Sequence, residues 1–377
     1  MASVHFMPWC PLDREYAVGE VLLIPFDRTA KNDHCNAAEL AQVLSVLTSY
    51  RDLAGCPNRQ MTFVKYGGKP VFADLANEEY EIARELVELA CFCGIAKRKY
   101  FNVGDYCNST NFTFYGQRFT LGSDHVGTTS RRGDGETSHL STISKTVFSV
   151  PLQASSIRRV TLDESLIASL ASFRQTANGK VWSRWQNAIA CFNLSNTDAE
   201  NIAHQVEWTL LCSAFERLLD AESKALDVAT KFSAVLRPAS PLPVSGSKRK
   251  PLRCTDATMP LSFEWVREFY SVRGDFAHGK LSTGQPLAWG PLEHLVLARI
   301  AFPLLVRCLL SKAGEYVLTD DDQAEINAFE CLADSPLLDE PPACQGTGDS
   351  WWSRCLQQAY WDETGRRAAK YLEEHRE

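Results

Sequence analysis

The spacing of hydrophobic residues changes near residue 155. Before that point, short apolar runs rich in β-branched and aromatic residues predict strands over residues 18–26, 61–66, 111–121 and 145–152. Two longer segments, residues 36–55 and 77–99, carry apolar residues at intervals of three and four, which predicts amphipathic helices. The polar, glycine-rich residues 122–141 predict a long loop. Strands that alternate with helices along the chain are typical of a small α/β or α+β domain.

After residue 155 the apolar spacing is that of helices. It predicts helices over residues 161–176, 180–195, 197–223, 225–236 and 290–312, and one that starts after Pro260 with Ser262 as its N-cap. Residues 237–260 hold several prolines and serines and predict a loop or linker. We therefore predict an α+β chain: an N-terminal α/β domain over residues 1–155, and an all-α helical bundle over residues 156–318. Residues 319–377 predict an acidic, proline- and glycine-rich tail that ends in an amphipathic helix.

Composition narrows the class of protein. A chain of 377 residues predicts two or three domains, and a net charge of -7 argues against binding a polyanion by bulk charge. The 13 cysteines are an odd number at scattered spacings, without the short pairs of a zinc module, so we predict free thiols in a reducing cytoplasm. We expect no metal and no cofactor. We also expect no membrane span, because Arg299, Pro303 and Arg307 interrupt the most apolar stretch.

One helix places a charge among apolar residues. In "FEWVREFYSVRGDFAHG", Val266, Tyr270, Arg273 and Ala277 fall on one side of a helix. A charge on a packed face is costly unless it meets a partner, which could be a buried carboxylate, a neighbouring subunit or an anion such as phosphate. His278 follows at the helix end, where the negative end of the dipole favours a protonated imidazole that is suited to acid–base work.

This stretch resembles the signature of HEPN domains, which are α-helical nucleotide-binding and ribonuclease domains. Arg273 and His278 are separated by four residues, Gly279 follows and Tyr270 precedes, as in the "YxxRxxxxHG" pattern of the Apea-like branch. The preceding segment "LLCSAFERLL" resembles the helix that carries a buried glutamate in that branch, here Glu216. The resemblance covers roughly residues 160–315. Gly274 departs from it, because many HEPN domains carry a polar residue at that position.

The resemblance implies a metal-independent endoribonuclease and a homodimer that brings two motifs into one composite site. RNA carries its own nucleophile, the 2′-OH, so the reaction needs a base, an acid and a cation at the phosphate. We expect Arg273 and His278 to be catalytic, with Glu216, Tyr270 and Asp275 as their supporting residues. The basic residues Lys248, Arg249, Lys250 and Arg253 predict a contact with the RNA phosphates.

Several alternatives stay open. Arg273 could be a structural ion-pair partner of Glu216, and His278 could cap the helix or lie in the core. Apea-like proteins resemble prokaryotic antiphage and abortive-infection effectors, which implies RNA, a second copy, and a phage-derived trigger or regulatory protein as partners. The rival functions are a non-catalytic HEPN-like module that binds RNA, a nucleotide or a protein, and a toxin held by an antitoxin.

Overall fold

The computed structural model describes residues 2–30, 37–98, 106–120, 122–154, 159–254, 256–277, 286–335 and 351–375. The chain divides into two compact units. The first comprises Met1–Arg98, Val103–Ser172 and Asn196–Ala199, and the second comprises Lys99–Asn102, Phe173–Ser195 and Glu200–Glu377. The mixed α+β character expected from the sequence is confirmed, with strands in the N-terminal part and helices after it. The predicted domain boundaries at residues 155 and 318 stay a prediction.

The first unit is built on a seven-stranded sheet. Its strands are β1 (Ala2–Met7), β2 (Tyr16–Val18), β3 (Val21–Asp27), β5 (Gln60–Tyr66), β6 (Tyr115–Phe119), β7 (His125–Arg132) and β8 (Gly135–Thr142). They lie in the order β2-β3-β5-β1-β6-β7-β8, and every neighbouring pair is antiparallel. The short strands β4 (Tyr50–Arg51) and β9 (Phe148–Ser149) form a separate parallel pair. Of the two classes that the sequence leaves open for residues 1–155, this pairing corrects α/β to α+β, because α/β folds have a mainly parallel sheet.

Two helices accompany the sheet, α1 (Ala37–Leu47) and α2 (Asn77–Lys97). The hydrophobic core lies where alternate residues of the strands meet α1, because successive side chains of a strand point to opposite faces. Its central members are fully buried aromatic and aliphatic side chains, among them Phe6, Val43, Leu47, Tyr50 and Phe63.

The predicted loop over residues 122–141 is wrong, since this segment forms the β7–β8 hairpin. Arg132 pairs with Gly135 across a two-residue turn made by Gly133 and Asp134. Gly135 has a φ of 136°, which a side chain would strain. The hairpin escapes the sequence pattern because serine, threonine and charged residues follow one another along its sequence, so apolar and polar positions do not alternate.

The predicted helical pattern after residue 155 is confirmed, although the helix expected over residues 197–223 is shorter than predicted. The helices are α3 (Glu164–Thr176), α4 (Gly179–Leu194), α5 (His204–Leu218), α6 (Ala225–Val235), α7 (Leu261–Ala277), α8 (Pro291–Lys312), α9 (Asp320–Asp334) and α10 (Trp351–Glu374). The core of the second unit is largely aromatic, with Phe192 stacked on Phe302 at 4.6 Å and Trp265 stacked on Phe269 at 5.8 Å. Such contacts add to the stabilisation that burying large rings provides.

Helix α8 is the one described helix that is long and apolar enough to cross a membrane. However, 72% of its most apolar stretch is buried inside the protein, as in the core helix of a globular unit. The expectation that this segment does not span a membrane stays a prediction.

Residues 237–254 are a packed loop, which is one of the two alternatives, loop or linker, that the sequence left open. Three polar residues on one side of α9 fix this loop. Asn327 accepts from the backbone N–H of Ala239, fully buried Glu330 accepts from that of Leu242, and Asp334 accepts from that of Lys248. Helix α9 is therefore an integral part of the second unit, although the sequence pattern placed it in the tail. Helix α10 packs against α9.

Helix α7 begins directly after Pro260, as expected, but two residues before the start that Ser262 as its N-cap would set. Leu261 is its first residue, so Ser262 lies inside the helix and does not cap it. The hydroxyl of Ser262 donates to Glu330 at 2.7 Å instead.

Candidate functional site

Four side chains meet where the ends of α5 and α7 approach each other, and we call them the Arg273 cluster: Glu216, Ser223, Tyr270 and Arg273. Arg273 Nη1 donates to Glu216 Oε2 at 2.8 Å and also to the Tyr270 hydroxyl. The Tyr270 hydroxyl donates to the same carboxylate oxygen, and Ser223 donates to Glu216 Oε1. Both Glu216 oxygens are thus occupied, and the carboxylate sits at the centre of the cluster.

Packing between α5 and α7 sets this geometry. The indole N–H of Trp208 donates to the backbone carbonyl of Phe269 at 2.8 Å, and the two rings stack at 5.0 Å. Tyr270 and Arg273 are three residues apart on α7 and therefore share a helix face. Because the Trp208 contact lies one residue before Tyr270, it fixes this face of α7 against α5, which carries Glu216.

The electrostatics of the cluster favour the charged pair. Burial would raise the pKa of Glu216, but the hydrogen bonds from Ser223 and Tyr270 and the charge of Arg273 together lower it. Burial and the hydrogen bond to Glu216 raise the pKa of Tyr270. Burial would lower the pKa of Arg273, but its neighbours Tyr270 and Glu216 raise it. At neutral pH the cluster therefore holds a carboxylate, a neutral phenol and a guanidinium.

The contacts of Arg273 leave one edge of its guanidinium available. Glu216 and Tyr270 both bind Nη1, while Nε and Nη2 make no hydrogen bond to the residues that the structure describes. The side chain is 26% exposed, and its central carbon lies 5.2 Å from the Tyr270 ring centre. The Nε and Nη2 hydrogens are parallel donors that match two oxygens of a carboxylate or phosphate. The arrangement can hold the guanidinium in place and still bind an anion.

The other half of the predicted pair lies outside the described residues. His278 and Gly279 belong to the undescribed segment 278–285, and of Asp275 only the backbone, within α7, is described. The structure therefore gives no distance between Arg273 and His278. A Cβ added at Gly274 would meet no described atom within 4 Å, so the fold leaves room for a side chain to begin there.

The residues that follow this segment are fixed by a buried carboxylate on α7. Glu268 accepts from the backbone N–H groups of Ala288 and Trp289 at 3.0 and 3.1 Å, and it contacts His294 Nε2 at 3.1 Å. Glu268 and His294 are both almost completely buried. The same helix that carries Arg273 therefore holds the chain again at residue 288.

The four predicted phosphate-binding residues do not act as a group. Lys248, Lys250 and Arg253 are exposed, whereas Arg249 is buried. The Arg249 guanidinium makes a two-pronged ion pair with Glu293, at 3.0 and 2.6 Å, and also bonds to the carbonyl of Ala333. Arg249 is thus occupied in the interior, and its expected contact with phosphate is corrected. Its anchoring leaves the lysines on either side pointing to solvent.

Three residues of this region were not predicted from the sequence: Ser223, Glu268 and His294. Ser223 lies in the connection between α5 and α6, where no periodic pattern marks it. Glu268 had a signal, because it is a second charge close to the apolar side of α7, as Arg273 is. Among the described residues, no group of three or more histidines, cysteines and carboxylates is placed to hold a metal ion.

Comparison of the chain with known protein families, with curated proteins and with solved structures found no match. Function is therefore inferred from the residues and geometry described above and from the motif resemblance.

Proposed function

We propose that the protein is a metal-independent endoribonuclease of the HEPN type, and that Arg273 and His278 carry the reaction. The observation that supports this most is the state of Arg273. Its Nη1 is held by Glu216 and Tyr270, and its Nε and Nη2 make no bond to the described residues. In a purely structural arginine, all three guanidinium nitrogens would be expected to bind partners. Arg249 is such a case, since its nitrogens bind Glu293 and the carbonyl of Ala333.

The proposed chemistry assigns one role to each group. His278 removes the proton of the 2′-OH, the 2′-oxygen attacks the adjacent phosphorus, and the bond to the 5′-oxygen breaks. The products are a 2′,3′-cyclic phosphate and a 5′-OH. Arg273 donates its two parallel N–H groups to the phosphate oxygens, whose charge grows in the transition state. Glu216 and Tyr270 position Arg273, and Lys248, Lys250 and Arg253 are proposed to contact phosphates farther along the strand.

One histidine cannot serve easily as base and acid at the same time. We therefore propose that two copies of the chain bring their motifs together, so that His278 of a second copy protonates the leaving oxygen. This composite site comes from the motif resemblance, as does the proposed role in antiphage defence with a phage-derived trigger.

The second candidate is a HEPN-like module that binds RNA or a nucleotide without cutting. The same geometry favours it, because a held guanidinium with a free edge is sufficient for anion binding. The two candidates differ in what His278→Ala does. If the protein is an enzyme, this substitution should abolish RNA cleavage. If the protein is a binding module, it should leave phosphate binding nearly unchanged.

The deciding experiment measures RNA cleavage in EDTA and identifies the product ends. We expect EDTA-resistant cleavage that leaves 2′,3′-cyclic phosphates, and loss of cleavage in His278→Ala. Arg273→Lys should slow cleavage roughly 10- to 100-fold, because a point charge replaces a two-pronged, charge-assisted contact of about 1.5–3 kcal/mol.

Arg267→Lys is the matched control, since Arg267 lies on the same helix. It pairs with Glu264 at 2.9 Å and is 27% exposed, against 26% for Arg273. Cleavage should be unchanged in this control. Activity that EDTA abolishes and magnesium restores, or full activity in His278→Ala, would contradict the proposal.

A further inference from the structure

The first unit contains a pocket that has no part in the proposed RNA cleavage. Its volume is about 380 Å³, within the range of small-molecule sites. Three chain segments form its walls: the residues after β1, the turn between β4 and β5, and the residues after β9. Trp9, Val150 and Ala154 supply apolar lining, and Leu53 stands 60% exposed beside them.

Hydrogen bonds tie these walls to one another. The side-chain amide of Asn111 donates to the carbonyls of Trp9 and Ala154, at 3.1 and 3.2 Å. The backbone N–H of Val150 donates to the carbonyl of Arg51 at 2.8 Å. A pocket with linked walls needs little rearrangement to bind, which lowers the entropic cost of binding.

Two side chains that line the pocket, Asp52 and Asn58, each present an acceptor oxygen. The Asn58 amide nitrogen donates to the carbonyls of Pro8 and Gln60, which fixes the orientation of the amide and leaves its Oδ1 as the remaining acceptor. Asp52 Oδ1 accepts from the backbone N–H of Cys56 at 2.9 Å. Asp52 Oδ2 and Asn58 Oδ1 make no hydrogen bond to the part of the chain that the structure describes.

The charges of the pocket do not cancel. Arg59 lines it, but the Arg59 Nε is paired with Asp27 at 3.2 Å and its side chain is 69% exposed, so solvent screens its charge more strongly than that of the half-buried Asp52. Asp52 is then the lining charge that lacks a described counter-ion. A carboxylate, a neighbouring amide oxygen and the ring of a tryptophan are a combination that favours a positively charged group with N–H donors.

We propose that this pocket binds a small organic cation, an ammonium or amidinium group on an apolar body, with Asp52 as its counter-ion. The charged group is placed at Asp52 and Asn58, and the apolar body lies against Trp9 and Val150. The site is separate from the Arg273 cluster, and the inference does not depend on RNA cleavage.

Isothermal titration calorimetry on the full chain tests this with three probes of one shape: 2-phenylethylammonium, 2-phenylethanol and 3-phenylpropionate. We expect the cation to bind at least roughly tenfold more tightly than the alcohol, and the anion to bind most weakly. Asp52→Asn should reduce the affinity for the cation to that for the alcohol. This variant keeps an oxygen for the Cys56 N–H, so the turn should stay intact.

Two further variants keep the test decisive. Glu81→Gln removes one negative charge from the surface of α2 and should leave cation binding unchanged, which controls for net charge. Leu53→Arg adds a positive charge at an exposed position of the rim and should weaken the cation alone. Equal binding of cation and alcohol, no binding of the cation at millimolar concentration, or unchanged cation affinity in Asp52→Asn would each overturn the proposal.

Discussion

The substitution Arg273→Ala tests whether the ion pair with Glu216 mainly stabilises the fold or mainly orients the Arg273 guanidinium. The pair is 2.8 Å long, and its side chains are 26% and 20% exposed. Breaking a fully buried pair costs about 3–5 kcal/mol, whereas an exposed pair is worth about 0–1 kcal/mol. In Arg273→Ala, Glu216 also keeps the hydrogen bonds from Ser223 and Tyr270. We therefore expect a loss of about 1–2 kcal/mol in the free energy of unfolding.

The assay is urea unfolding followed by tryptophan fluorescence. Eight of the nine tryptophans belong to the second unit, and Trp9 alone belongs to the first, so the signal reports chiefly on the unit that holds the cluster. A double-mutant cycle with Glu216→Gln should give a coupling free energy of about 0.5–1.5 kcal/mol between the two residues. RNA cleavage is measured on the same preparations.

A loss above about 3 kcal/mol in Arg273→Ala would refute the reasoning, because it would make Arg273 a buried structural partner. A coupling free energy near zero between Arg273 and Glu216 would also refute the reasoning, since Glu216 would then not hold the guanidinium in place. The expected result is a modest loss of stability together with complete loss of cleavage.

Three further predictions concern the rest of the second unit. Arg249→Ala should lower the free energy of unfolding by about 3–5 kcal/mol, because it leaves Glu293, at 7% exposure, buried without its cation. The control Lys248→Ala changes an exposed residue and should alter this free energy by less than about 0.5 kcal/mol. Equal effects of the two substitutions would contradict the prediction. Burial lowers the pKa of His294 despite the opposing effect of Glu268, so the unfolded chain takes up this proton first as the pH falls. Stability should thus decline between about pH 7 and pH 5, and His294→Gln should flatten the decline in urea titrations at each pH; a parent curve no steeper than that of the variant would count against it. Light scattering should show a dimer, and the cleavage rate per chain should fall on dilution into the range where the dimer dissociates; a monomer with a constant rate would exclude the composite site.

The sequence predicted elements well where one face is apolar and the other polar. Strand β5 and helix α2 lie within one or two residues of their predicted positions, because burial on one face imposes a period on the sequence. The β7–β8 hairpin has no such asymmetry and was missed. How the strands pair was not predicted, since the order of elements along the chain does not fix whether neighbouring strands run parallel or antiparallel.

The candidate site was likewise predicted only in part from the sequence. A charge on the packed side of α7 was visible in the sequence, and the structure contains the Arg273–Glu216 pair that was one of the expected partners. Which donors of Arg273 the pair occupies could not be predicted, because that depends on the position of Tyr270 and Ser223 in space. The proposed catalytic role of Arg273 rests on this detail.

Arg249 shows why a basic run is a weak guide to a phosphate contact. Four cations within six residues look equivalent in the sequence, yet burial depends on where the loop is tied down. Asp334 accepts from the Ser247 hydroxyl and the Lys248 N–H, and this fixes the chain so that the next side chain, Arg249, enters the interior. There Glu293 neutralises it, and burying the arginine would otherwise be prohibitive. The exposed lysines owe their direction to this buried ion pair, so Arg249→Ala should disturb any phosphate contact of Lys248 and Lys250 indirectly.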